Sequence, residues 1–102
     1  MFVGVLRLTF HIPHARSLKD KRRVVLKFRD RVRSRFDVSI AEVAEQDVHQ
    51  RAVFGVTVVS GDAAVCDSVL EQVARSAELA EDAVLTDRAT ETITVGDDLY
   101  GE

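Results

Sequence analysis

The first twelve residues alternate. Phe2, Gly4, Leu6, Leu8, Phe10 and Ile12 share one parity; Val3, Val5, Arg7, Thr9 and His11 share the other. A period of two predicts a strand with one fully apolar face. Pro13 ends it, because proline cannot donate to a sheet ladder. The period then lengthens. Leu18, Val25, Phe28, Val32 and Phe36 recur at helical spacing, which predicts a helix burying that stripe. Ser17 stands at its N-cap with Asp20 three residues on, the spacing of a capping box. Segment 37–45 reads as a strand with Val38 and Ile40 inward and a bulge near Ala41–Glu42. Segment 51–60 is largely apolar on both parities, which predicts a central strand. EQDVHQ joins the two as a hairpin loop. Asp62 is placed to cap a second helix reaching about Leu79, with Cys66, Val69, Leu70, Val73 and Ala77 inward. A last strand is expected over 84–95, with Ile93 and Val95 as its core residues, followed by a tail at 97–102.

The order β-α-β-β-α-β predicts an α+β, ferredoxin-like βαββαβ domain over residues 1–96: a four-stranded antiparallel sheet with two helices on one face. The other face of the sheet is left open. It holds Val3, Val5, Val53 and Val59, more aliphatic surface than a solvated sheet needs. A homodimer through this sheet face is the expected consequence.

Charge changes the picture. The chain is acidic overall, at formal net charge −3, yet segment 17–36 holds nine Lys or Arg against two Asp. Residues 1–35 carry +9 and residues 36–102 carry −12. Lys19, Arg23, Lys27 and Arg31 fall at i, i+4 steps, one like-charged row on the solvent side of the helix. Such a row costs a few tenths of a kcal/mol per pair, so solubility alone is a poor reason for it. It fits a polyanion, whose condensed counterions each Lys or Arg would release. The helix start, Arg16-Ser17-Leu18-Lys19, adds free backbone N–H groups and a hydroxyl where an anion is favoured. The candidate phosphate-binding set is therefore Arg16, Ser17, Lys19, Lys21, Arg22, Arg23, Lys27 and Arg31. Two plainer uses compete: Ser17 as a cap alone, and the basic helix as a dock for the acidic surface of a sister subunit.

Other chemistry finds little footing. Cys66 is the lone cysteine, so no internal disulfide or paired-cysteine metal site can form, and its place on an apolar helix stripe makes it a core residue. His11 and His14 lack acidic or thiol neighbours in sequence, so no metal and no cofactor is expected. There is no nucleophile elbow, phosphate-binding Gly-rich loop or dinucleotide turn. Acylphosphatases share the element order but use a phosphate-cradling loop and an Asn; here that loop is PHARS and the chain has no Asn. A small enzyme acting on an anionic ligand near Arg16, Ser17 and Lys19, assisted by His14, is the least favoured reading. The sheet positions that an RRM fills with base-stacking aromatics are Val, Thr, Gly, Arg and His, and no KH-type GxxG occurs. No apolar run reaches the ~20 residues of a membrane span. The N-terminus MFVGVLRLTFHIP lacks the pattern of a signal peptide, so a cytoplasmic location is expected.

At HARSLKDKRRVV, RFDVSIAEV and QDVHQRAVFGV the chain resembles the YlxP-like family of small bacterial proteins of unknown function. Ser17, Leu18, Lys19, Lys21 and Arg22 match its SLK-x-KR signature, and Phe36, Val38, Glu42, Asp47, Gln50, Arg51 and Gly55 match later positions. His49 departs from it, standing where many relatives carry an aromatic. The resemblance implies a ferredoxin-like fold and a cytoplasmic bacterial protein. The family's genes often lie beside translation-factor and ribosome-maturation genes, which implies an RNA or ribosome partner. It implies no catalytic residue.

Overall fold

A computed structural model describes residues 1–96; the expected tail at 97–102 lies outside them. The elements are β1 (Phe2–His11), α1 (Leu18–Arg35), β2 (Ser39–Ala44), β3 (Arg51–Ser60), α2 (Ala63–Glu78) and β4 (Val84–Thr94). The strands form one antiparallel sheet in the order β2-β3-β1-β4. With both helices packed on one side, this is the ferredoxin-like arrangement.

The core follows the parity of β1 and β3. Leu6 lies opposite Val56, Leu8 opposite Phe54 and Phe10 opposite Ala52, and all six side chains are buried. Phe10, Phe28 and Phe54 bring β1, α1 and β3 together, with ring centroids 5.1–5.8 Å apart in edge or tilted contacts, the geometry aromatic pairs favour. α2 lays Cys66, Leu70, Val73 and Ala77 on the sheet. Its close approach explains Gly4 in mid-strand. A Cβ there would come within 2.8 Å of Leu70 Cδ1 and 3.1 Å of Cys66 Cβ.

Three expectations are corrected. Leu18 does not join the buried stripe of α1; it is 43% exposed. Side chains of a first turn project past the helix start, and Leu18 overhangs the end of the core. Lys21, one turn further along the same stripe, is buried instead. The bulge in β2 falls between Glu42 and Ala44, so Val43 is the extra residue. Ile93 is exposed rather than core, because it pairs with Val3 and shares its open face. Val95 lies just past the strand, half-buried, its N–H donating to Met1 O at 2.9 Å. A register shift opposite Thr9 and Phe10 brings Leu85 level with Phe10, and Leu85 packs against the core. Thr86, the extra residue, donates its hydroxyl to Thr9 O.

Candidate functional site

The start of α1 is a shifted form of the capping box. Ser17 Oγ accepts from the Asp20 N–H at 3.1 Å, and Asp20 Oδ2 accepts from the Arg16 N–H at 3.0 Å. The return bond thus reaches one residue before the cap. A carboxylate therefore sits against the helix start, and Ser17 is engaged as its cap. The positive end of the helix dipole is partly answered by the chain itself.

The basic residues divide by what they touch. Lys21 is 2% exposed. Its ammonium donates to Glu45 O at 2.7 Å and Val48 O at 2.8 Å, and lies 2.8 Å from Glu42 Oε2. It fastens α1 to the end of β2 and to the β2–β3 loop, and it is not available to an external phosphate. Its inclusion among the phosphate ligands is corrected: position 21 stands on the stripe with Val25, Phe28 and Val32, and that stripe faces inward. Lys27 lies 3.7 Å from Asp82, and Arg29 lies 3.2 Å from Asp30. Arg33 and Arg35 occupy the last turn of the helix, where cations favour the negative end of the dipole, and Arg35 also stands over the Phe36 ring. Arg16, Lys19, Arg22 and Arg23 remain exposed, and among the described residues none of them forms an ion pair. Arg31 also has none, but it is half-buried. The basic helix is thus only partly neutralised by its own molecule: its exposed cations without an ion pair among the described residues are Arg16, Lys19, Arg22 and Arg23 at the start and Arg33 and Arg35 in the last turn, with the larger group at the start.

Beside this ridge an open cleft of about 250 Å³ runs between α1 and β2, bordered by Leu18, Arg22, Glu42 and Gln46, with Lys21 at its base. The Glu42 contact to Lys21 is a charge contact: no N–H or O–H is aimed at the buried Oε2. Two loops close the same end of the domain. Gln50 Nε2 donates to Ala15 O at 3.2 Å and lies 3.4 Å from Pro13 O, while the Ile12 N–H donates to Gln50 O. Glu45 takes a left-handed conformation, φ 60°, and its carbonyl is one that Lys21 holds. This residue pays a strain cost that the Lys21 bond offsets.

The remaining candidates stay apart. His11 pairs across the sheet with Arg51, and His14 and His49 are exposed in loops. Among the described residues no three His, Cys, Asp or Glu side chains gather as metal ligands would. Cys66 is buried. The open sheet face carries no Phe, Tyr or Trp among the described residues, since Phe10 and Phe54 point to the other side and only the His11 imidazole stands at its end. No helix of the described residues is long and apolar enough to cross a membrane.

Residues 3–90 match the family described as protein of unknown function (DUF503). The chain belongs to that family. This DUF503 chain is 41% identical over 71 residues to the uncharacterized protein YlxP of Bacillus subtilis (strain 168), covering 70% of this chain and 77% of that one. Among solved structures it is similar to the de novo designed protein Foldit4, at a TM-score of 0.54 and 12% identity, covering 94% of this chain and all of that one. That likeness concerns the fold alone.

In this DUF503 chain the residues of the SLK-x-KR signature have unlike tasks. Ser17 caps α1, Lys21 is the buried fastener, and Lys19 and Arg22 face water. Glu42 meets Lys21 from β2, whereas Gln50 makes a separate tie, to the Ala15 carbonyl of the β1–α1 loop. This buried set is hidden among the basic residues of α1. Its signal was present: Lys21, Val25, Phe28 and Val32 are spaced at four, three and four.

Proposed function

We propose that the protein is a non-enzymatic RNA- or ribosome-associated module that grips phosphates with the exposed start of α1. Arg16, Lys19, Arg22 and Arg23 supply the charge, and Lys27 and Arg31 extend it along the helix. The supporting observation is the group of four exposed cations that no carboxylate of the described chain neutralises. Lys19, Arg23 and Lys27 stand at steps of about 6 Å along the helix axis, so one ridge can follow one strand of backbone. The sheet face without Phe, Tyr or Trp argues for reading the backbone rather than stacked bases.

The magnitude follows from counterion release. Four to five phosphate contacts on single-stranded RNA give a slope of about −3 to −3.5 in log affinity against log salt. Raising salt from about 50 to 200 mM then weakens binding roughly 10²-fold. The test is fluorescence anisotropy with a mixed-sequence RNA oligomer, titrated at several salt concentrations. Lys19→Glu/Arg22→Glu/Arg23→Glu should fold, as judged by circular dichroism, and lose binding. Salt-independent binding, or equal binding by that variant, refutes the proposal. Retrieval of the protein from lysate at low salt, with and without ribonuclease, then shows whether ribosomal RNA is the partner.

A further inference from the structure

We infer that the open face of the sheet is the contact surface of a homodimer, in which the same face of a second copy covers it. Both helices lie on the opposite side. Thr9 and Val53 of this face are buried, contrary to the open position expected of Val53, but Val5, Val43, Val59 and Ile93 stay exposed on it. Its aliphatic residues are contiguous. Val59, Val3 and Ile93 stand in one row across β3, β1 and β4, with Val59 61% and Ile93 43% exposed. Val5 continues the patch toward β2, where Ala41 and Val43 flank Gly55. Gly55 lets Val43 lie over it, 3.0 Å from where a Cβ would stand, and an open groove of about 240 Å³ beside them, walled by Val5, Ala41 and Val43, can receive an aliphatic side chain from an opposing sheet.

Size and charge select the occupant. Three strands of ten or eleven residues and a six-residue β2, about 4.8 Å apart at about 3.3 Å per residue, span roughly 15–19 Å across and up to about 33 Å along. That is a projected area of about 500–600 Å², and the accessible area is larger because side chains stand above the plane. A stable interface buries about 800 Å² per partner. A single helix, about 10 Å wide, would leave close to half of the face uncovered, whereas a second sheet matches its full width. The face is also a poor polyanion surface: Arg7 is bound to Asp87 at 2.9 Å, and Glu91 lies on the same side, opposite Val5. An apolar patch of this size that avoids net positive charge suits its own copy about a two-fold axis. The sheets would pack about 10 Å apart and leave both α1 ridges outward.

Sedimentation velocity over a dilution series tests this directly. The expected species has twice the 11.3 kDa chain mass and persists in high salt. Val59→Asp/Ile93→Asp should sediment as a monomer. Leu79→Asp, at an exposed position off this face, should stay dimeric, as should the α1 charge-reversal variant. If the double variant fails to fold, Val59→Ser should raise the dimer dissociation constant at least fivefold. A wild-type monomer at about 100 µM, a dimer split by salt, or a dimer indifferent to the substitutions at Val59 would overturn the inference. Failure here leaves the phosphate-binding proposal standing, because the two use opposite sides of the molecule.

Discussion

Replacing Lys21 with Met isolates the contribution of the buried ammonium. Methionine keeps most of the aliphatic stem and removes the charge. Three partners are then deserted: the Glu42 carboxylate and the carbonyls of Glu45 and Val48. Removing one member of a buried ion pair costs about 3–5 kcal/mol, because the other charge stays desolvated. Glu42 keeps some contact with water, which places its share at the low end of that range. The two carbonyls belong to a surface loop, where water can replace part of the lost bonding. The total is about 3–4 kcal/mol, a large fraction of the roughly 5–15 kcal/mol that stabilises an ordinary domain. For about 100 residues this lowers Tm by roughly 12–25 °C. Urea denaturation followed by circular dichroism measures it. Adding Glu42→Gln to Lys21→Met should recover at least about 1 kcal/mol, although Glu42→Gln alone destabilises; that opposite sign is the mark of coupling. A loss below about 1 kcal/mol for Lys21→Met, the size expected of an exposed pair, would refute the account of Lys21 as a fastener.

Gly4→Ala should destabilise by about 1–3 kcal/mol, since the new methyl group overpacks the α2–sheet contact, and an unchanged urea midpoint would show that α2 moves away at little cost. Ser17→Ala should cost about 1 kcal/mol through loss of the cap, while the RNA affinity of the folded variant changes less than twofold. A tenfold loss of affinity in folded protein would instead make the Ser17 hydroxyl a phosphate ligand.

Much of this protein is readable from its chain. The two-residue period of β1 and β3 and the helical stripes of α1 and α2 depend only on which side of each element is apolar. That property is local, so the element order, and with it the ferredoxin-like sheet, follows without coordinates. The cap at Ser17 is equally local, because an N-cap needs only a side-chain oxygen and the N–H groups three residues ahead.

What the chain does not contain on its face is the fate of its charges and of its edge strand. Lys21 reads like its basic neighbours, yet it is buried because partners 21 to 27 residues away, on β2 and the loop, supply two carbonyl acceptors and one carboxylate charge for its ammonium. Ile93 reads as core, yet the pairing of β4 with β1 places it beside Val3, and one extra residue at Thr86 sends Leu85 inward in its place. Burial of a charge and the register of an edge strand are both decided by groups distant in sequence. Desolvation is tolerated only where those groups arrive, and side-chain parity holds only until a bulge resets it.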